Sequence, residues 1–283
     1  MKKILLFIFY KLFYFVFNIK IFYYLKAQFD VISYKKIKIL GKNINFYIPN
    51  DLVNSRVNTF YSKEPETLKW IDSFIKKKKI IFWDIGANIG LYSIYNSQKN
   101  PKSQTIAFEP STSNLRTLSR NISINNLQNK ILIFPTALTN NLNKNNYFSL
   151  IKESSFCEGG ALNAVNVNYN FEVKKFEIKN NYRIFSNSIS YFIDNNILKI
   201  PDYIKIDVDG TEDLILEGAK KYLKKTKSLL IEINENFKES HKKIIDIMKK
   251  NGFTASYKTS EDIINMNKRE PKFAKSYNYI FNK

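Results

Sequence analysis

This sequence predicts an α/β fold built on a parallel sheet, and three observations carry the prediction. First, two short apolar runs end in an acid, residues 80–83 before Asp84 and 203–206 before Asp207, and such runs read as buried strands. Second, each runs into a glycine turn and then a helical pattern, which is the first half of a βαβ unit. Third, three apolar strands and two helical patterns alternate between residues 80 and 134, the order expected of a parallel sheet. A chain of 283 residues, 44% of them hydrophobic, has enough apolar surface for a full core.

Residues 1–27 are apolar and strongly aromatic, with Leu5, Phe7, Phe9, Phe13, Phe15 and Tyr23 among them. Lys2 and Lys3 resemble the start of a signal peptide, but no small-residue cleavage site follows. A spanning helix needs about 20 mostly apolar residues. Here Lys11, Asn18 and Lys20 interrupt the run, and a lysine at mid-bilayer costs about 2.5–3.5 kcal/mol. An interfacial helix would keep the aromatic rings among the headgroups while the lysines snorkel. Peripheral membrane contact through residues 1–27 and packing on the protein both remain open. Residues 1–30 thus form an N-terminal helical extension.

Residues 31–79 lead into the core. Segments 36–40 and 44–48 flank Gly41-Lys42-Asn43 and read as a hairpin ended by Pro49. Residues 66–77 place Leu68, Ile71, Phe74 and Ile75 near helical spacing. The basic run 76–79 reads as a solvated face.

The main domain spans 80–283. Its strands fall at 80–83, 105–109, 131–134, 203–206 and 229–233. Helices are expected at 114–126, with Leu115, Leu118, Ile122 and Ile124 inward, at 188–196, from Thr211 as a cap to about Leu223, and at 238–250. Residues 253–257 and 277–281 read as a final antiparallel pair. Segment 140–185 breaks the alternation with Asn-rich sequence. It reads as an inserted loop or short antiparallel strands, either an acceptor-binding region or a passive excursion.

The net charge of +20 admits an anionic partner, nucleic acid or a membrane surface. Yet lysine and asparagine are scattered along the whole chain, and few of the cations are the arginines that read phosphate and bases best. Compositional bias is the stronger reading, and a nucleic-acid partner is the weaker one. Cys157 is the only cysteine and His241 the only histidine. An intrachain disulfide, a Cys-based zinc site and a His-rich metal site are therefore excluded within one chain. The cysteine content suits the cytoplasm.

The stretch 80–90, IIFWDIGANIG, lies where an open sheet binds its ligand. A dinucleotide fingerprint counted from Gly86 needs glycine at Asn88 and a small residue at Leu91, and a P-loop needs Gly-Lys-Ser/Thr; none of these is present. What remains is Asp84, Gly86, Asn88 and Gly90, with Glu109 at the end of the next strand. This suits a ligand without pyrophosphate, whose ribose hydroxyls meet Glu109 and whose ammonium lies near Asp84. S-adenosylmethionine meets both demands, and the pattern resembles the site of Rossmann-like methyltransferases.

The resemblance narrows. DIGANIGLYS, FEPSTSNLRTLSRN, the segment Pro135-Thr136-Ala137-Leu138, YIKIDVDGTEDLILEGA and LLIEIN occur in this order and resemble the FkbM family of methyltransferases over residues 80–235. Asp209 stands where the family more often has Glu. The resemblance implies a Rossmann-like class I methyltransferase sheet, mixed and seven-stranded, with helices on both faces. It also implies methyl transfer from S-adenosylmethionine, commonly to a hydroxyl of a sugar or secondary metabolite. The donor-binding residues would be Asp84, Gly86, Asn88, Gly90, Glu109 and Pro110.

An alkyl hydroxyl that attacks a sulfonium methyl gains from losing its proton, to a carboxylate or with a metal's help. Asp207, Asp209 and Glu212 lie at the carboxyl end of a strand facing the cleft, with Glu232 on the neighbouring strand. Asp209 and Glu212 equally suit a turn and a first helical turn. Lys205 is expected to pair with Asp207 or to orient the acceptor. Oxygen-only ligands from Asp207 and Asp209 would suit Mg2+. A small-molecule or glycan acceptor is the first reading, at the cytoplasmic face of the membrane if residues 1–27 attach there. An RNA- or amino-directed methyltransferase of the same fold is the second, although Asp207-Val208-Asp209-Gly210 lacks the proline of many amino-directed enzymes. A non-catalytic membrane-associated binding protein is the third.

Overall fold

The computed structural model describes residues 2–75, 79–140, 147–153, 157–160, 163–165, 180–208, 210–266 and 275–283. The chain opens with a long helix, α1 (Lys2–Ile32), and a hairpin of β1 (Tyr34–Ile39) and β2 (Lys42–Tyr47). Leu40 and Gly41 take positive φ values of 50° and 80°, the backbone that a two-residue hairpin turn requires. Short helices α2 (Asp51–Asn58), α3 (Phe60–Lys63) and α4 (Pro65–Asp72) follow. The alternating core runs β3 (Ile81–Ile85), α5 (Leu91–Lys99), β4 (Gln104–Phe108), α6 (Thr112–Ile124) and β5 (Ile131–Phe134). Then come β6 (Ala137–Leu138), β7 (Phe148–Glu153), β8 (Asn163–Val165), β9 (Asn180–Asn187) and α7 (Ile189–Asp194). The chain closes with β10 (Tyr203–Ile206), α8 (Glu212–Leu223), β11 (Ser228–Asn234), α9 (Lys238–Lys250), β12 (Thr254–Lys258), α10 (Glu261–Met266) and β13 (Ser276–Asn282).

Seven strands form the main sheet in the order β12-β13-β11-β10-β3-β4-β5. Strands β11, β10, β3, β4 and β5 run parallel, and β13 is antiparallel to both of its neighbours. This is the Rossmann-like class I methyltransferase sheet, with the expected antiparallel last strand. Alternation along each strand divides the core. Trp83, Ile204, Ile206 and Ile231 meet α7, α8 and α9 on one face. Phe82, Ala107, Tyr203 and Leu230 meet α4, α5 and α6 on the other. By the same alternation Asp84 and Lys205 belong to the second face.

The inserted segment builds a second sheet, β6-β9-β7-β8. Its β7 pairs antiparallel with β8 and β9, in line with the expected short antiparallel strands; the piece Phe171-Glu172-Val173 lies outside the described residues. Several expectations are corrected. Helix α4 ends at Asp72 rather than 77, because Ser73 Oγ donates to Trp70 O at 2.6 Å and Phe74 N to Ile71 O, which closes the last turn. Ile75 is consequently 48% exposed instead of inward. Helix α6 starts two residues early, capped by Ser111, and Ile124 is exposed because it lies across the helix from the buried Leu118 and Ile122. Thr211 precedes α8 without a side-chain capping bond. Helix α2 is absent from the expected elements, because its sequence DLVNSRVN has a short polar pattern with only Val53 and Val57 buried.

Phe74 anchors the end of α4. Its ring stacks on Tyr203 at 3.8 Å and meets Trp70 edge-on at 4.9 Å. Phe74→Ala is expected to cost about 3–5 kcal/mol, whereas Ile75→Ala stays within about 0.5 kcal/mol, as read from urea unfolding of both variants. Equal costs would contradict this placement.

Candidate active site

The site is built where β3 and β10 end side by side. In register Lys205 faces Asp84 and Ile206 faces Ile85. The chain leaves β3 through Gly86 at φ 81°, where a Cβ would lie 1.9 Å from the backbone oxygen of Asp207. Only glycine lets the first turn approach the end of β10 this closely. Gly86 N and Ala87 N both donate to Phe108 O at 3.0 Å, which ties the turn to β4 as well. Asn88 takes φ 51°, a left-handed conformation that asparagine tolerates. Gly90, at φ 88°, starts α5 where a Cβ would meet Leu118 Cδ1 at 2.5 Å.

Glu109 follows β4 and is buried. Its Oε2 accepts from Asn88 N at 2.7 Å and its Oε1 from Ser111 N at 2.8 Å. Burial pushes its carboxyl up to about 7, against these two backbone N–H groups and Asn114, which favour the charged form. Pro110 carries the chain from Glu109 to Ser111, the cap of α6. Buried Asp84 accepts from Ser93 Oγ at 2.6 Å through Oδ2, and its Oδ1 has no hydrogen-bond partner. Asn88 Oδ1 is likewise without one.

Lys205 is 1% exposed. Burial acts to remove its proton, but the charges of Asp207, Glu64 and Asp84 outweigh this and hold its pKa above the usual lysine range. Its Nζ lies 2.5 Å from Asp207 Oδ2 and 4.8 Å from the centre of the Tyr92 ring. Burial opposes the charge on Asp207 too, yet Lys205 and then Glu232 hold its carboxyl well below the usual range. Asp207 keeps 29% of its side chain exposed, so the anion opens toward solvent while its partner cation does not.

The structure therefore brings Asp84, Gly86, Asn88, Gly90, Glu109, Lys205 and Asp207 together. Glu212 is nearby but serves the turn, accepting from Gly210 N at 3.1 Å. Asp209 lies outside the described residues. Among the described residues no group of three His, Cys, Asp or Glu side chains is placed to hold a metal ion.

Two parts of the site have little or no local signal in the sequence. Glu64, 2% exposed, accepts from Tyr92 Oη at 2.8 Å and adds its charge to Lys205. Tyr92 and Ser93 were within sight in GLYS, directly after Gly90, whereas Glu64 carries no local signal. The second part is residues 157–160 of the insert, which lie against the first turn. Asn88 Nδ2 and Asn114 Nδ2 donate to Gly160 O at 3.0 and 3.1 Å. Arg56 Nε donates to Gly159 O at 2.6 Å, and Arg116 Nη1 to Glu158 Oε1 at 2.8 Å.

The chemistry of these acceptors fits S-adenosylmethionine: the orphaned oxygens of Asp84 and Asn88 suit an ammonium, and the fixed Glu109 carboxylate suits two ribose hydroxyls. Because those hydroxyls need an ionised Glu109, donor affinity is expected to weaken by about tenfold per pH unit below 7 and to level off above it. Calorimetry across this range checks the slope. A flat profile, or the same slope in Glu109→Gln, would contradict the assignment.

Residues 84–255 match the family model described as the methyltransferase FkbM domain. Over 42 residues the chain is 48% identical to methyltransferase sdnD of Sordaria araneosa, a stretch covering 15% of this chain and 16% of that protein's length. Among solved structures, it is similar to precorrin-6y C5,15-methyltransferase of Geobacter metallireducens GS-15 (12% identity, 78% of this chain and 86% of that one, TM-score 0.42). The fibrillarin pre-rRNA processing protein of Methanococcus jannaschii gives 17% identity over 89% and 83%, TM-score 0.46. TYW2 of M. jannaschii in complex with AdoMet gives 12% over 88% and 85%, TM-score 0.43. These likenesses assign no substrate.

Proposed function

The chain belongs to the FkbM methyltransferase family, and from that premise we propose that it methylates a hydroxyl oxygen of a sugar, glycan or small metabolite. The observation that carries this reading is the Lys205–Asp207 pair at the mouth of the donor turn. A partly exposed anion beside a buried cation is a hydrogen-bond acceptor held in place, which is what an incoming hydroxyl needs.

S-adenosylmethionine, when bound, supplies a methyl group on a sulfonium, so the leaving group is already activated. Asp84, Asn88 and Glu109 would hold it, each through an oxygen that accepts from its ammonium or hydroxyl groups. The chain's remaining task is to aim the acceptor oxygen at about 3–3.5 Å from the methyl carbon. Asp207 accepts the hydroxyl's hydrogen bond and so fixes the direction of its lone pair. Its low basicity suits a late proton transfer. A methylated acceptor oxygen would be far more acidic than a carboxylic acid, and Asp207 is placed to accept its proton. Lys205 stays charged throughout, since three carboxylates favour its ammonium form, and it keeps Asp207 ionised between turnovers.

The free cysteine, Cys157, supports a cytoplasmic setting. No described helix is long and apolar enough to cross a membrane.

Asp207→Asn is expected to lower kcat by about 10²–10⁴-fold with donor binding intact, whereas Asp84→Ala and Glu109→Ala abolish donor binding. Calorimetry separates the two classes. Mass spectrometry of glycan and metabolite extracts from cells with and without the protein identifies the acceptor by one missing methyl group. Undiminished donor binding in both alanine variants, or a methylated nitrogen as the product, would sink the reading.

A further inference from the structure

Helix α1 is the part of the molecule that the methyl-transfer site does not use. At 31 residues it is about 46 Å long. Leu5, Leu6, Phe7, Leu12 and Phe15 are 69, 67, 60, 65 and 92% exposed. The exposed apolar positions run consecutively, so they circle the helix instead of marking one stripe. Such a surface is unstable in water and demands an apolar phase. Charge points to its kind: residues 2–29 contain five lysines and no acid, which suits the anionic leaflet of a bilayer. Phenylalanine and tyrosine, at home at the headgroup level, make up much of the remainder.

The other end of α1 is fixed to the core. Asp30 accepts from Arg116 Nη2 and from Tyr47 Oη, both at 2.5 Å, and its backbone oxygen from Arg120 at 3.3 Å. Arg116 also holds Glu158 of the segment against the donor turn. The helix is thus anchored beside the site, and whatever binds α1 is brought to the same side as that turn.

We propose that α1 lies in the interface of an anionic lipid bilayer, deep enough that the apolar side chains all round it leave water while its lysines snorkel to the headgroups. Flotation of the full chain tests this, with vesicles of phosphatidylcholine alone or mixed with phosphatidylglycerol. The chain should bind the mixed vesicles at least about tenfold more tightly than the neutral ones, and lose the preference at high salt. The triple variant Leu5→Glu/Leu6→Glu/Leu12→Glu should remain in solution while binding S-adenosylmethionine as the parent does, which shows that it is folded. Equal flotation of the variant overturns the proposal. So does absence of flotation in a chain that sediments as a dimer through α1. Retention through alkaline carbonate overturns the interfacial placement in favour of insertion.

Discussion

A buried lysine cation is the constraint around which the site is arranged. Lys205 is sealed in the middle of the sheet, where an unpaired charge would cost several kcal/mol. Three carboxylates from three parts of the chain, Asp207, Glu64 and Asp84, surround it, and the Tyr92 ring covers it. Each partner is placed by an element that must therefore be where it is. The turn before α4 supplies Glu64, β3 supplies Asp84, the first turn of α5 supplies Tyr92, and the end of β10 supplies Asp207. The cation ties the segment before the sheet to the ends of β3 and β10.

The same arrangement separates two electrostatic tasks within a few ångströms. Burial raises Asp84 and Glu109 toward the neutral form, so a cationic donor with hydroxyl groups finds carboxyls whose ionisation its own binding favours. Lys205 draws Asp207 the other way and favours its ionised form. Gly86 allows both to exist together, because any side chain there would strike the backbone of Asp207 and push the two strand ends apart.

Beyond the sheet, two additions converge on α6. Arg116 reaches Asp30 at the end of α1 and Glu158 in the insert, and Asn114 holds Gly159 and Gly160. The N-terminal part of a single helix thereby relates an apolar extension, the inserted segment and the turn after β3.

What the sequence by itself determined is local. Asp84, Gly86, Asn88 and Gly90 lie within seven residues, and Glu109 directly follows the next strand, so the turn and the acid that joins it could be read from spacing. The alternation of strands and helices was legible for the same reason, since period and turn residues act over a few positions. The Lys205–Asp207 pair was legible because residues two apart share a strand face. Tertiary structure decided the rest. Glu64 joins the site only because α4 folds back over the sheet, and no pattern around Pro65 encodes that. Ile75 and Phe74 have the same hydrophobicity signal, yet one is exposed and the other stacked on Tyr203, because α4 ends at Asp72. Glu212 accepts from Gly210 N, the turn role that its place at the start of α8 equally allowed. Contacts between distant segments depend on packing geometry summed over the whole chain, and that sum leaves no local mark in the residues that make them.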